Sequence, residues 1–328
     1  MFQNNSTTEI NQAIKLYEKG FLPGPKTCIC GANYFKIYTD SSYKTNGCAF
    51  RCGNSQCRKK YSITINSFYE KFSKQKISII SEIIKCFLIY DFNVNKAYKY
   101  ITEELNTFVS KQIIPKVYNQ IRRVICKYLK IEYQSNFLGE LNANKYFSVD
   151  ESLINHIDGK QVWLLGIIDN ASKEFRLEAV FNRDENTIKS FISKNVEIGN
   201  NIVSDGYSSY NYLDNINVGY NHLRHIHGRR DFGIGIQSTS HVESIWAQIK
   251  SKLKESYHVI PPKNFMLFVR EIEYNIKTKN LDGDQKFKNF FEIYETTNNV
   301  EDKVLYDANS LFLDDFFNDY EDDISEDE

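Results

Sequence analysis

Two apolar runs in this sequence end in carboxylates. Tyr146, Phe147, Ser148 and Val149 lead into Asp150 and Glu151, and Ile202, Val203 and Ser204 lead into Asp205 and Gly206. Aromatic and β-branched residues favour strands, and nothing in strand propensity asks for an acid beside them. Such an acid is either a solvated edge residue or a chemical group held on a rigid support. The chain between the two acids narrows the choice. Residues 162–168 read VWLLGII, a buried strand, and Phe175, Leu177, Ala179 and Phe181 alternate along another. Turns are expected at 156–160, around Asp158-Gly159, and at 169–173, so three strands form an antiparallel meander. A helix follows with Ile188, Phe191, Ile192 and Val196 on one face, then the strand leading to Asp205. A helical stretch at 207–213, a fifth strand within 218–227 and a late helix from Ser240 complete an α/β (α+β) domain with a mixed sheet.

If the strand leading to Asp205 lies beside the first, Asp150 and Asp205 come together, with Glu243 on the late helix as a third acid. Two close carboxylates do not both stay ionised without a cation. A pair of Mg2+ (or Mn2+) ions roughly 3.5–4 Å apart satisfies them, and activates a water or a 3′-hydroxyl for attack on a phosphodiester. Each acid also has a plainer reading. Asp205-Gly206 makes a turn, Glu243 closes a capping box on Ser240, and Asp150 is an edge residue.

Upstream, Cys28 and Cys30 form a C-x-C pair followed by Gly31, and Cys52 and Cys57 a C-x4-C pair around Gly53. Two short-spaced pairs about twenty residues apart suit a tetrahedral four-thiolate Zn2+ site on two knuckles. Free core thiols are the alternative, and Cys48 is a spare ligand. Tyr34, Phe35, Ile37 and Tyr38 read as part of a β-hairpin between the knuckles. Arg58, Lys59 and Lys60 crowd the second knuckle as a phosphate-contacting patch.

Residues 73–135 read as three helices. Ile77, Ile80, Ile84, Phe87 and Leu88 mark the first, 94–105 the second, and Ile114, Val117, Ile121, Val124 and Tyr128 the third, with Pro115 suited to its first turn. Arg122 and Arg123 lie on its basic faces, so a helix-turn-helix reading competes with a plain helical bundle. Cys86 and Cys126 read as core thiols. The run NHLRHIHGRR at 221–230 reads as a strand and loop that sets Arg229 and Arg230 beside DNA phosphates, with a metal site on its histidines and a plain surface segment as the alternatives. Glu271 and Glu273, on a helix with Phe265, Phe268 and Ile272, read as surface acids. Charge is uneven: 301–328 holds twelve acids and one Lys, leaving forty basic against thirty acidic residues in 1–300. A basic body fits a polyanionic partner, and the acidic run either solubilises the chain or mimics nucleic acid. The first residues lack a basic-then-apolar signal, and no apolar run approaches a membrane span.

In order, CRKKYSITINSFYEKFSK, YFSVDES, VSDGYSSY, HVESIWAQIKSKLKESYHV and FVREIEYN resemble the Merlin-type (ISXO-like) insertion-sequence DDE transposases, over residues 28–280. The resemblance implies an RNase H-like catalytic domain, with Asp150, Asp205 and Glu243 as catalytic metal ligands and Asp150 chosen over Glu151. Lys250, sharing a helix face with Glu243 and Trp246, would touch a phosphate, while Trp246 reads as core packing. It also implies double-stranded DNA as partner, at transposon ends and target, and a homodimer or higher oligomer, because such enzymes act on two ends. The expected organisation is an extension (1–27), a zinc-ribbon-like domain (28–72), a helical module (73–135), the catalytic domain (140–280) and an acidic tail (281–328). The expected location is the nucleus in a eukaryote, or the cytoplasm with the nucleoid in a bacterium. A host-retained DNA-binding protein without transposition and a structure-specific nuclease are the competing readings.

Overall fold

The computed structural model describes residues 4–138, 145–157, 159–225, 237–256 and 265–299. Two compact units emerge, Met1–Ile121 with Leu281–Glu295, and Arg122–Asn280 with Thr296–Glu328.

In the first unit, helix α1 (Asn4–Glu18) precedes an antiparallel sheet of β1 (Phe35–Thr39), β2 (Cys48–Cys52) and β3 (Lys60–Ser62), in that order. Phe50 on β2 is fully buried, and Tyr17 of α1 meets its ring edge-on at 5.5 Å. Gly24 passes over the same ring with φ +72°, where a Cβ would stand 3.0 Å from it. Helix α2 (Ile77–Leu88) is rich in β-branched residues, which are mediocre helix formers. It forms because Ile77, Ile80, Ile83, Ile84 and Phe87 repeat at helical spacing and are all buried. Its first amide is satisfied from outside, Ile77 N–H donating to Asn46 Oδ1 at 2.9 Å. Helix α3 (Val94–Lys99) is capped by Asn93, and α4 (Ile113–Ser135) carries Pro115 in its first turn, where its missing N–H costs nothing.

Helix α8 (Gly283–Asn298) occupies the first part of the tail, whose aromatic residues there suit a partly helical stretch. Its Phe287, Phe290 and Phe291 are buried, and Phe291 stacks on Phe21 at 4.5 Å and on Tyr69 at 5.8 Å. Burying one phenylalanine contributes roughly 1.5–3 kcal/mol, enough to hold such a helix in place. The acid-rich run 301–328 lies outside the described residues.

The second unit is built on a five-stranded mixed sheet. Strands β4 (Tyr146–Ile157), β5 (Lys160–Asp169) and β6 (Phe175–Val180) form the antiparallel meander. Helix α5 (Glu185–Asn195) then leads to β7 (Asn201–Ser204), parallel to β4, and β8 (Asn221–Arg224) runs parallel to β7. The order β6-β5-β4-β7-β8 is that of an RNase H-like fold. Strand alternation separates two cores. Val162, Leu164 and Ile168 face helices α6 (Ser240–Ser256) and α7 (Phe265–Lys277), whereas Phe147, Val149, Leu165 and Ile167 face α5.

Two expectations change here. Strand β4 continues through His156 and Ile157, because β5 pairs with it as far as Lys160, with a bulge between Leu153 and Asn155. Asp150 therefore sits inside a long strand rather than at its end. Glu271 and Glu273 are buried, not surface acids. Arg122 Nε donates to Glu271 at 2.6 Å, and fully buried Arg270 binds Glu273 at 2.8 Å and Glu178 at 3.1 Å. Tyr133 donates its hydroxyl to Glu273. A charged partner from α4 for Glu271, and partners on its own helix for Glu273, let these carboxylates leave water.

Candidate active site and metal centre

The parallel ladder of β4 and β7 pairs Ser148 with Val203. Two residues further along each chain stand Asp150 and Asp205, so the two strands deliver their acids at the same level. Asp150 faces α6. Its Oδ2 accepts the indole N–H of Trp246 at 2.8 Å. Burial pushes its carboxyl up to about 6; the Trp246 bond pulls the other way, and the nearby charges of Glu151 and Asp205 add to the rise. Asp205 Oδ1 accepts the Tyr207 N–H at 2.8 Å, so the turn reading of Asp205-Gly206 is correct as far as it goes, and it fixes the carboxylate beside the Asp150 strand.

Trp246 reaches Asp150 through a gap in the sheet. Asp150 pairs with Gly166, which lies between Leu164 and Ile168 on the face turned to α6. A Cβ on Gly166 would stand 2.6 Å from the Trp246 ring. Trp246 is thus both core packing, as its spacing predicted, and a hydrogen-bond donor to the acid.

Glu151 points to the opposite face, as strand alternation requires. Tyr210 donates to it at 2.7 Å and Arg183 at 2.8 Å. Burial raises its carboxyl, and these two donors oppose the rise. The Arg183 guanidinium lies 3.8 Å from the Trp163 ring centroid and 4.2 Å from that of Tyr207. A brace therefore runs from Glu151 through Arg183 to Tyr207, whose own N–H holds Asp205. Spacing alone did not single out Arg183; its one sequence signal is a basic residue just after a strand on the acid-bearing edge.

Glu243 is exposed in the first turn of α6, three residues before Trp246, and Lys250 is exposed further along the same helix. Ser148 Oγ donates to the Ser238 carbonyl at 2.8 Å and ties the start of α6 to β4. The Ser240 amide donates to Ser238 Oγ at 3.1 Å, which gives it an acceptor other than Glu243. The structure brings Asp150 and Asp205 together. Glu243 stands one helical turn from the Trp246 that contacts Asp150, and the three acids do not form one tight ligand group among the described residues.

Behind Asp205, Ser204 Oγ lies 2.8 Å from His222 Nε2, and His222 Nδ1 lies 2.7 Å from Asp214. The set resembles a nucleophilic triad, but Ser204 is fully buried and out of reach of a substrate. It stiffens the end of β7. Burial pushes the His222 imidazole down, against the pull of Asp214.

In the first unit, the sulfurs of Cys28, Cys30, Cys52 and Cys57 lie within 4.8 Å of one another. Cys28 and Cys57 are 3.6 Å apart, as are Cys30 and Cys52. A tetrahedron with metal–sulfur bonds of roughly 2.3 Å places its sulfurs roughly 3.8 Å apart, so the donor set fits a thiolate-preferring ion. Gly31 at φ +83° and Arg58 at φ +49° let the two knuckles turn. The Cys30 backbone and the Tyr61 hydroxyl, 3.2 Å away, hold the Cys28 thiol down at about 6, while burial pushes Cys52 up to about 12. Cys48 is buried outside this group, and burial raises its thiol to about 11.

The expected DNA contacts divide. Arg58, Lys59, Arg123 and Lys250 are exposed. Lys60 is exposed but paired with Asp40 at 2.7 Å. Arg122 is 7 % exposed, lies 4.2 Å over the Phe268 ring and binds Glu271. It faces the core, which corrects the expectation, because the α4 stripe that looked basic also packs on α7. Arg229 and Arg230 lie outside the described residues.

The ISXO2-like transposase domain family matches residues 130–276. That span holds all three acids and leaves the cysteine cluster outside. No curated protein matches the sequence. Among solved structures, a chain of the simian T-cell lymphotropic virus intasome in complex with PP2A regulatory subunit B56 gamma is similar at 14% identity, with a TM-score of 0.27, over 48% of this chain and 50% of that one. This chain thus spans about half the length of that relative. The HTLV-2 integrase catalytic core domain in complex with magnesium, in its dimeric form, is similar at 14% identity and a TM-score of 0.24, over 45% of this chain and 83% of that one. Its trimeric form gives 15% identity and a TM-score of 0.25, over 51% and 90%. The matched span contains Asp150 and Asp205, which follow the β4–β7 ladder at the same level, and residues 130–276 are similar to the ISXO2-like transposase domain.

Proposed function

We propose that the chain is a divalent-metal-dependent DNA transposase that cuts and joins DNA at transposon terminal repeats. The observation that carries this reading is the level placement of Asp150 and Asp205 on adjacent parallel strands inside the matched domain. Burial and the neighbouring acids raise the Asp150 carboxyl, an environment that favours either a proton or a cation. Asp150 and Asp205, completed by Glu243, would hold Mg2+ or Mn2+, which when bound activates the attacking oxygen and stabilises the leaving one. Trp246 fixes one Asp150 oxygen, and Tyr207 N–H fixes one Asp205 oxygen. Ser148 anchors the entry of the helix that carries Glu243. Cys28, Cys30, Cys52 and Cys57 would hold Zn2+, with Arg58, Lys59 and Lys60 presenting charge to double-stranded DNA beside it. Two DNA ends call for at least a dimer.

The test uses the purified chain with Mg2+ or Mn2+ and a duplex carrying the flanking terminal repeats. Wild type is expected to nick at the element ends, and Asp205→Ala to be inert; equal cleavage by Asp205→Ala would sink the mechanism. One observation favours a second reading, a DNA-binding protein retained without transposition: Glu243 is exposed, and the three acids do not form one tight ligand group among the described residues. On that reading wild type binds DNA and cuts nothing under the same conditions.

A further inference from the structure

We propose that Arg183 is a phosphate-binding residue at the lip of the acid pair, presenting one edge of its guanidinium to the phosphodiester backbone of DNA. This rests on reading Asp150 and Asp205 as a site that works on DNA.

The guanidinium is held on three sides. Trp163 and Tyr207 cover its two faces at 3.8 Å and 4.2 Å, and Nη1 donates to Glu151 at 2.8 Å. Those contacts leave the Nε and Nη2 edge without a protein partner among the described residues, and the side chain remains 32% exposed. That edge carries two parallel N–H groups, the fork that matches two oxygens of a phosphate. A stacked arginine keeps its charge and loses little further freedom on binding, because its plane is already fixed.

Position supports the assignment. Arg183 follows the end of β6, which runs parallel to β4 and β7 because β5 opposes both of its neighbours. It therefore follows the same end of the sheet as Asp205, which stands just past β7. Glu151 adjoins Asp150, and Tyr207 holds Asp205. The group presented here is a cation with unused N–H donors, so the ligand chemistry it favours is an anion. A strand whose scissile phosphate sits at the acids would bring a neighbouring phosphate to this fork.

The experiment measures binding of the full chain to a fluorescein-labelled DNA duplex by anisotropy, across a salt series, with Ca2+ in place of Mg2+. Arg183→Gln keeps a planar group between the rings and removes the charge; Arg183→Lys keeps the charge and removes the fork. Arg183→Gln is expected to bind on the order of tenfold more weakly, with the slope of log K against log salt shallower by about one. Arg183→Lys is expected to keep the wild-type slope and bind less tightly. A folded Arg183→Gln with wild-type affinity and slope overturns the proposal. If Arg183→Gln does not fold, Arg183→Lys with wild-type affinity overturns it. Binding is read without cleavage, so the outcome is separable from the Asp205→Ala test of the acids.

Discussion

Trp246 donates its indole N–H to Asp150 at 2.8 Å, through the space left by a missing Cβ at Gly166. Three positions far apart in sequence thus define one carboxylate: the acid on β4, its ladder partner on β5 and a ring from α6. The same helix carries Glu243 one turn earlier, so the ring that orients the first acid also registers the third against the sheet.

Trp246→Phe should keep the ring in the Gly166 gap and delete the donor. Loss of one hydrogen bond to a charged acceptor predicts cleavage reduced on the order of tenfold, with a higher Mg2+ concentration for half-maximal rate. Gly166→Ala attacks the same contact from the other side. A Cβ 2.6 Å from the ring forces the indole to move, at about 1–3 kcal/mol of stability in a urea titration. Unchanged metal dependence in Trp246→Phe would mean that the indole only packs.

The Asp150 carboxyl, raised to about 6 in the fold against 3.8 for an aspartate in water, predicts a pH-dependent stability. For an acid with a raised native value, the folded state binds more protons between the two values. Stability is therefore undiminished below pH 3.8 and falls as pH rises through about 6. Asp150→Asn removes this penalty. In the absence of divalent ions it should be more stable than wild type at pH 7.5, by on the order of 3 kcal/mol, and no more stable at pH 3.5. Thermal melts at both pH values check this. Added Mg2+ should close the gap at pH 7.5 by stabilising wild type alone.

Much of this site is legible along the chain, and what escapes has a common cause. Alternation and turn residues place the meander, and they send Asp150 and Glu151 to opposite faces before any contact is known. The end of β4 is misplaced because Asn155, His156 and Ile157 are extended only through pairing with β5. Gly166 reads as one residue of an apolar run; its role as a gap depends on a ring eighty residues later. Arg122, Glu271 and Glu273 look solvated by composition, since charged residues are rarely buried without partners. Arg122 and Glu271 find each other across elements, as Arg270 and Glu178 do, and no local pattern announces those pairs; Glu273 pairs with Arg270 and Lys277 on its own helix, a spacing visible in the sequence, and also takes the Tyr133 hydroxyl from α4.

Cysteine selection in the first unit is directly testable. Cys30→Ser should release bound Zn2+ and melt the local sheet, because Cys30 is one of four close sulfurs and its partner Cys52 would otherwise remain buried and unligated. Cys48→Ser should leave about one Zn2+ per chain, since Cys48 lies outside the group. Zinc content by atomic absorption and near-ultraviolet circular dichroism read both variants. Loss of zinc in Cys48→Ser would transfer the ligand role to it.

Arg270 governs the stability of the second unit more than any surface charge. It is fully buried, with Nη1 on Glu273 at 2.8 Å and on the Leu177 carbonyl at 2.7 Å, and Nη2 on Glu178 at 3.1 Å. Arg270→Met removes a cation shared by both acids, leaving Glu273 with the partly exposed Lys277 at 3.3 Å. Leaving buried carboxylates without it predicts a loss of about 3–5 kcal/mol in the urea unfolding of the chain. The triple change Arg270→Met, Glu178→Gln, Glu273→Gln should recover much of that loss, because the amides carry no charge into the interior. If the single variant unfolds at the wild-type urea midpoint, the network contributes nothing to stability and the account of why these acids are buried is wrong.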